Sequence, residues 1–407
     1  MLNLETPKKF DALTAQARQV ARQVFRPISR KYDRAEHRYP RELDMLSAVM
    51  AGASAGGGIA GAGAAGVRHR GKPEPDTNRN GSNLSTVLSI MELCWGDVGL
   101  LLSMPGQGLG NSAIASVANE EQLKRFAGRW AAMAITEPGC GSDSAAIRTT
   151  ARLDGDHYVL NGEKIFVTAG ERADLVVVWA TLDRRAGRAA IKSFVVEKGT
   201  PGFELVRLEH KLGIRASDTA AFVLTDCRVP KENLLGDAAV DVEKSFAGAM
   251  KTFDNTRPLV AAMAVGLAKA CLDETRKWLE SANAAPSYDS PPPARTAAAT
   301  EFLRMEADYE AARLLTLQAA WMADNRRPNS LQASMAKAKA GRTCVDVALK
   351  CVELCGSAGF IEGAKGLGLL EKWARDAKIL DIFEGTQQIQ LLIVARRLLN
   401  KTSAQLR

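Results

Sequence analysis

A glutamate near the end of the chain has neighbours that suit a general base. Glu384 lies in the run Ile382-Phe383-Glu384-Gly385-Thr386, where burial beside two apolar side chains predicts a pKa above the ordinary value of about 4.3. Such a carboxylate is a better base toward a weak carbon acid. Gly385 leaves room for a ligand to approach the backbone. Thr386 can cap a following helix, whose free N–H groups favour an anion. The same residues fit a plain capping element between two helices equally well.

Three other segments have residue types that could bind a ligand. The turn Thr136-Glu137-Pro138-Gly139-Cys140-Gly141-Ser142-Asp143 could present backbone N–H groups to a flat or anionic ligand, or be a structural loop. Phe166 and Thr168 share one face of a predicted strand. The ring could stack on a planar ligand while the hydroxyl bonds its edge, or both could belong to an ordinary half-buried strand. Asp254 and Arg257, three apart on a predicted helix, could hold a polar ligand tail or form a surface ion pair.

Three zones of different periodicity must position these segments. Residues 1–128 and 239–407 favour helices, and residues 129–238 favour strands. We therefore predict an α+β fold that is mainly α, with a small antiparallel barrel or sandwich in the middle. Pro27 and Pro258 should each kink or divide a helix. The predicted helices are 12–32, 84–94, 120–126, 245–278, 295–323, 331–355, 370–382 and 386–400.

Short apolar runs separated by turn residues predict the strands of the middle zone. The Asn161-Gly162 pair between the first two runs predicts a hairpin turn, because both residues tolerate positive φ. The predicted strands are 158–160, 165–167, 175–179, 193–196, 203–208 and 221–224.

Charge and cysteine content narrow the class of protein. The formal net charge of +8 is spread over 407 residues without a long basic block, so we expect no nucleic-acid partner. Seven scattered cysteines favour a reducing cytoplasm over a disulfide framework. No metal site is expected from four histidines. The uncharged stretch 48–67 is mostly Ala and Gly, so we predict a loosely packed segment and no membrane span.

The order and spacing of these segments resembles the acyl-CoA dehydrogenase family. The likeness rests on TEPGCGSD, NGEKIFVTAG, FDNTRP, RDAKILDIFEGTQQIQ and LLIVARRLL. It covers residues 85–282, loosely before 130, and resumes over 300–400. The resemblance implies an N-terminal helical domain, a middle β domain and a C-terminal four-helix bundle, together with a bound FAD.

The resemblance also implies a role for each site residue. Glu384 matches the catalytic base, and Thr256 stands where some branches place that base instead. The positions expected to contact FAD are Ile135, Thr136, Gly141, Ser142, Phe166, Thr168, Gly356, Thr386 and Gln388. The positions expected to bind the acyl-CoA are Ser142, Asp254, Arg257 and Gly385.

The implied reaction is α,β-dehydrogenation of an acyl-CoA thioester to a trans-2-enoyl-CoA. Glu384 would remove the α-proton while a β-hydride passes to flavin N5. The reduced flavin would pass its electrons to an electron-transferring flavoprotein. The segment from Gly99 to Ile114 carries no charged side chain, so a hydrophobic acyl group is expected.

Departures from the family pattern concern contacts to the flavin of a neighbouring subunit. Ala285 and Thr296 stand at the positions of an Arg and a Gln, and no Arg lies between 277 and 294. Glu353 replaces the first residue of a Gln-x-x-Gly-Gly motif. We therefore expect a homo-oligomer, a dimer or tetramer, that binds FAD weakly, or a mixed tetramer in which a related subunit supplies the missing groups. A non-catalytic or co-dependent subunit of such a tetramer is the alternative function.

Overall fold

The computed structural model describes residues 6–54, 80–106, 109–240, 247–362, 368–402 and 405. In these residues one sheet lies between two helical regions along the chain, which confirms the predicted α+β class. Most of the Ala/Gly stretch, residues 55–67, lies outside the described residues, so the prediction of loose packing is not addressed there. Across the described ranges, no helix combines the length and apolar character that a bilayer crossing requires.

The N-terminal region is helical, as predicted. A π-helical turn, Ala21–Phe25, precedes Pro27, so the chain stays helical while accommodating a residue that cannot donate a backbone hydrogen bond. The helices are α1 (Asp11–Val20), α2 (Arg26–Arg34), α3 (Glu42–Ser54), α4 (Ser82–Gly96), α5 (Val98–Leu102), α6 (Leu109–Val117) and α7 (Glu120–Arg125).

The middle region forms a sheet that is mostly antiparallel. Its strand order is β6-β7-β3-β2-β4-β5-β8, and β1 pairs in parallel with β4. The parallel pair needs the long crossover that the β2–β3 hairpin occupies. The strands are β1 (Ala131–Ala134), β2 (Thr150–Asp154), β3 (His157–Thr168), β4 (Leu175–Thr181), β5 (Ile191–Glu197), β6 (Phe203–Leu208), β7 (Thr219–Pro230) and β8 (Leu234–Leu235).

The hairpin turn predicted at Asn161-Gly162 is wrong. β3 runs unbroken through these residues, and its pairing with β2 begins where His157 faces Asp154, so the turn is at 155–156. Gly162 (φ 151°) lies at a register shift between β3 and β7. A Cβ at Gly162 would lie 2.7 Å from the Cα of Thr149. The glycine therefore serves a bulge and a close backbone approach.

The C-terminal region returns to helices that pack around α10. Pro258 lies inside α8, which continues past it, so this proline does not start a new helix. α10 contacts α8, α9, α12 and α13, and α4 packs against α8. The helices are α8 (Ala247–Ser281), α9 (Ala297–Asp324), α10 (Ser330–Cys355), α11 (Ser357–Phe360), α12 (Leu370–Leu380) and α13 (Gln387–Leu398).

A buried ion triad ties the three regions together. Lys372 Nζ in α12 lies 2.7 Å from Asp97 Oδ2 and 2.5 Å from Asp376 Oδ2, and all three side chains are almost completely buried. Asp97 also caps α5 by accepting from the Leu100 N–H at 2.8 Å. Asp376 accepts from the Ile214 N–H at 2.6 Å, in the loop between β6 and β7.

Candidate active site

Glu384 stands on a tight turn between α12 and α13. Glu384 and Gly385 both have left-handed backbones, with φ of 57° and 89°. A non-glycine residue adopts this conformation at a cost of about 1–2 kcal/mol. The fully buried Gln390 opposes that cost, because its Nε2 donates to Glu384 O at 3.2 Å and to Gly385 O at 3.1 Å. A Cβ at Gly385 would lie 2.4 Å from the same Nε2, so the close packing requires glycine.

The Glu384 carboxylate is half-buried and faces α8. Burial raises its pKa above the ordinary value, as the sequence predicted. A hydrogen bond from Thr256 and the positive charges of Arg257 and Lys337 oppose this rise. Thr256 Oγ1 donates to Glu384 Oε2 at 2.9 Å. Thr256 therefore contacts Glu384 from the position where the resemblance allowed an alternative base.

Lys337 is a site residue that the sequence analysis missed. It is fully buried on α10, and its Nζ donates to Gly385 O at 2.7 Å. Burial lowers the pKa of Lys337 to about 8, against the opposing effect of Asp381 and Glu384. Its sequence context, Ala336-Lys337-Ala338 in a helix, carries no signal beyond one lysine among small apolar residues.

Arg257 is buried and does not lie on the surface. The side chain is 3% exposed, and Nη1 lies 3.5 Å from Ser334 Oγ on α10. The side chain of Asp254 lies outside the described part of the structure, although its backbone belongs to α8. The structure therefore brings Arg257 to the Glu384 side of α8, and the pairing with Asp254 stays a prediction.

One buried carboxylate, that of Glu137, holds the glycine-rich turn 136–143 in place. Glu137 is 5% exposed and accepts from Lys164 Nζ at 2.7 Å and from Thr149 Oγ1 at 2.6 Å. It also accepts from the backbone N–H groups of Arg148 and Thr149 at 2.6 and 2.9 Å. Lys164 Nζ additionally donates to Ile135 O at 3.2 Å. The sequence analysis gave neither Glu137 nor Lys164 a role, although both lie inside the quoted motifs.

The anchored turn leaves its predicted ligand-facing residues accessible. Ile135 and Thr136 are half-buried, and Gly141 and Ser142 are exposed. No atom lies within 4 Å of a Cβ built on Gly139, so the described surroundings leave open space above the turn.

Phe166 and Thr168 lie beside this turn, but not on a regular strand. The Ile165 N–H donates to Thr136 O at 2.9 Å, which joins β3 to the turn. The pairing of β3 with β7 shifts register between Lys164 and Val167, and Phe166 has a φ of 58°. This bulge turns the Phe166 ring outward, where it is 60% exposed, while Thr168 is half-buried. The bulge interrupts the regular pairing at Phe166, and a shared face for the Phe166 ring and the Thr168 hydroxyl stays a prediction.

The remaining predicted cofactor positions lie at the C-terminal end of α10 and at the N-terminal end of α13. Gly356 has a left-handed φ of 56° at the end of α10. Thr386 caps α13 by accepting from the Ile389 N–H at 3.3 Å, as predicted, and Gln388 is exposed in the first turn. Glu353, which replaces the first residue of the Gln-x-x-Gly-Gly motif, lies on the surface and pairs with Lys350 at 2.6 Å.

Arg295 lies just after the interval 277–294, which contains no arginine. Its Nε donates to Ser290 O at 2.8 Å and its Nη2 to Tyr288 O at 3.1 Å. The guanidinium therefore folds back against the loop where the family arginine was expected.

A groove of about 530 Å³ lies away from Glu384, between α9, α10 and α13. Its walls carry both charges and apolar side chains, including Arg304 and Asp308 of α9, Arg342 of α10, and Leu391 of α13. The outer face of α13 is apolar, since Leu391 is 52% exposed and Leu398 is 65% exposed.

One group of possible metal ligands occurs among the described residues. Ligand atoms of Glu36, His37 and His210 lie within 4.8 Å of one another. Arg215 Nη2 already lies 3.0 Å from Glu36 Oε2, and the Lys211 N–H donates to Oε1 at 2.7 Å. This cationic setting opposes the binding of a metal ion.

Comparisons with known proteins agree with this geometry. Sequence models described as "Acyl-CoA dehydrogenase, middle domain" and "Acyl-CoA dehydrogenase, C-terminal domain" match residues 132–227 and 246–399. The short-chain specific acyl-CoA dehydrogenase of Clostridium acetobutylicum is 36% identical over 327 residues, 78% of this chain and 83% of that protein. The CarC subunit of the caffeyl-CoA reductase–Etf complex of Acetobacterium woodii is 34% identical over 329 residues, 79% of this chain and 84% of that protein. The structure of butyryl-CoA dehydrogenase from Megasphaera elsdenii superposes with a TM-score of 0.81 at 28% identity, covering 98% of this chain and all of that one.

Proposed function

The chain belongs to the acyl-CoA dehydrogenase family, flavoprotein oxidoreductases that act on acyl-CoA, and from that premise we propose its reaction and its base. The reaction is FAD-dependent α,β-dehydrogenation of an acyl-CoA thioester to a trans-2-enoyl-CoA, with Glu384 as the base. One observation carries this proposal. Glu384 is the half-buried carboxylate on a strained turn, it has a raised pKa, and Thr256 orients it.

The setting of Glu384 suits removal of an α-proton. A raised pKa makes the carboxylate a stronger acceptor, while the nearby cations Arg257 and Lys337 oppose that rise and favour the ionised form. The Glu384 backbone N–H is the proposed donor to the thioester carbonyl, which makes the α-carbon more acidic. Thr256 holds one carboxylate oxygen, so the other can face the substrate.

The described residues around the turn 136–143 fit a flat cofactor. An outward Phe166 ring is available for stacking, and open space lies above Gly139. We assign FAD to this region, with Ile135, Thr136, Gly141, Ser142, Phe166 and Thr168 at its ring. Thr386, Gln388 and Gly356 are assigned to the remainder of the cofactor, where the N-terminus of α13 favours negative charge. When bound, FAD supplies the acceptor for the β-hydride of the substrate.

The proposed substrate is an acyl-CoA with a short hydrophobic acyl group. Two of the similar proteins, from Clostridium acetobutylicum and Megasphaera elsdenii, bear the names short-chain specific and butyryl-CoA dehydrogenase. Leu100, Leu101 and Met104 of the apolar segment are buried. Ser142, Asp254, Arg257 and Gly385 remain the proposed contacts to the CoA thioester.

The proposed partners are an electron-transferring flavoprotein and a second copy of this chain. A similar subunit is named as part of an Etf complex. The exposed leucines of α13 and the adjacent groove favour an oligomer, since such apolar faces mark protein interfaces. Arg295 beside Tyr288 offers a positive group near the place of the missing family arginine. That observation favours a homo-oligomer over a mixed tetramer with a related subunit.

A flavin-reduction experiment tests the proposed function. The purified protein is mixed anaerobically with straight-chain, branched and aromatic acyl-CoAs while the flavin absorbance is followed. We expect bleaching that disappears in Glu384→Gln and persists in Glu232→Gln, which removes an exposed carboxylate of the β region. Bleaching that survives Glu384→Gln would reject the base. A protein that holds flavin only with a related subunit would support the co-dependent alternative.

A further inference from the structure

Three lysines in the described ranges are almost completely buried, and one of them differs from the others. Lys164 and Lys372 each have a carboxylate oxygen within 2.7 Å. Lys337 instead donates to a backbone carbonyl, Gly385 O, at 2.7 Å. Among the described residues, no carboxylate oxygen lies within 4.0 Å of Lys337 Nζ, the distance that defines an ion pair. Burying an ammonium group in this way is costly unless nearby charges and dipoles compensate.

The compensating groups around Lys337 belong to the turn that carries Glu384. Asp381 at the end of α12 and Glu384 both favour the protonated lysine, whereas Arg257 on α8 opposes it. The Gly385 carbonyl also accepts from Gln390 on α13. Two helices, α10 and α13, therefore hold the turn by donating to its carbonyl groups. Only the α10 donor carries a charge.

We propose that Lys337 is a positioning residue for Glu384, holding the strained turn through Gly385 O and favouring the ionised base through its charge. This inference rests on the proposed function of Glu384. The Lys337 ammonium stabilises the ionised Glu384 carboxylate, which is the form present before proton transfer. This electrostatic stabilisation is lost once Glu384 takes the α-proton. Lys337 thus sets a limit to the basicity of Glu384 and lowers the pH at which the base becomes available.

Substitutions of Lys337 separate its charge from its hydrogen bond. Lys337→Met removes both, Lys337→Gln keeps a donor without the charge, and Lys337→Arg keeps the charge. Lys339→Met, two residues along α10, removes a lysine that pairs with Asp308 and serves as the matched control. Flavin content and thermal unfolding show whether each variant is folded.

The first measurement is kcat for acyl-CoA oxidation as a function of pH. Among the residues whose side chains are described, the groups that face Glu384 are Thr256 and Arg257 from α8 and Lys337 from α10. We expect the acid limb of the profile to move up by about one pH unit in Lys337→Met and Lys337→Gln, a tenfold loss of kcat on that limb. Lys337→Arg and Lys339→Met should keep the wild-type limb. A uniform loss of kcat with an unshifted limb would assign Lys337 a structural role only and overturn the proposal.

The second measurement needs no turnover, so it separates failure of this inference from failure of the proposed function. The free energy of unfolding is compared between wild type and Glu384→Gln across pH. Because the pKa of Glu384 is raised in the folded protein, wild type loses stability relative to Glu384→Gln as pH rises. The loss ends at the folded-state pKa. In the Lys337→Gln background the loss should continue to a higher pH. An unchanged end point would refute the charge effect even if no acyl-CoA reduced the flavin.

Discussion

Replacing Lys164 by Met should destabilise the β region strongly. Lys164 is fully buried and its Nζ lies 2.7 Å from Glu137 Oε1. Without the ammonium, Glu137 would be a buried anion that accepts from Thr149, the Arg148 N–H and the Cys140 thiol. Removing one partner of such a pair costs about 3–5 kcal/mol. With an m-value of about 3 kcal/mol/M, the urea midpoint should fall by about 1–1.7 M.

The effect of Lys164→Met should also depend on pH in a defined direction. Burial alone would raise the pKa of Glu137, and Lys164 with the hydrogen bonds holds it below the ordinary value. Wild type therefore keeps the stability from this carboxylate above the unfolded-state pKa and loses it as pH falls toward the folded-state pKa. In Lys164→Met the pKa of Glu137 should rise, so protonation relieves the unpaired charge. The difference from wild type should be smaller near pH 5 than near pH 8.

Urea unfolding of wild type and four variants tests this reasoning. Lys164→Met is compared with Glu137→Gln, with the double substitution, and with Lys231→Met, which changes an exposed lysine of the same region. Lys231→Met should stay within about 0.5 kcal/mol of wild type. The double substitution should lose much less than the sum of the single losses, because it leaves no unpaired charge. A loss below about 1 kcal/mol for Lys164→Met, or strict additivity, would refute the importance of the pair.

Three further predictions concern local features of the site and the sheet. Burial lowers the pKa of Lys337 from 10.5 to about 8. Because the unfolded chain then binds more protons between pH 8 and 10.5, wild type should gain about 3 kcal/mol of stability relative to Lys337→Met over this range, measured by urea midpoints. Gly162→Ala should cost about 1–3 kcal/mol in thermal unfolding, because its Cβ would lie 2.4 Å from Thr149 Oγ1; no loss would show that the bulge relaxes freely. Thr386→Ala should cost about 1 kcal/mol and Thr386→Ser much less, because the hydroxyl caps α13 through the Ile389 N–H. Equal losses in the two Thr386 variants would contradict the capping role.

Elements with a strong and regular pattern could be predicted from the sequence alone. The strand 203–208 and the helix 331–355 agree with the observed Phe203–Leu208 and Ser330–Cys355 to within one residue. The cap by Thr386 also follows from local sequence. Each of these features depends on residues close together in the chain.

Features that depend on distant residues could not be predicted in this way. The Asn161-Gly162 pair has the local signature of a turn, but close approach of the Thr149 backbone is what requires Gly162. Lys337 and Arg295 gain their significance only when α10 meets the turn at 384–385 and when Arg295 folds back on Tyr288. No spacing rule in one sequence reports such contacts.

The triad of Asp97, Lys372 and Asp376 limits how this chain can be divided or recombined. Its charges come from opposite ends of the sequence, and Asp376 also holds the Ile214 N–H of the β region. A fragment ending before 370 would keep Asp97 as a buried anion without its counter-ion, and a transplanted C-terminal half would carry Lys372 without Asp97. A chimera with a relative should therefore fold only when the segments that contain Asp97 and Lys372 come from the same protein, or when Asp97 and Lys372 are both replaced by neutral residues. The triad therefore requires the three regions to be kept together when the chain is divided or recombined.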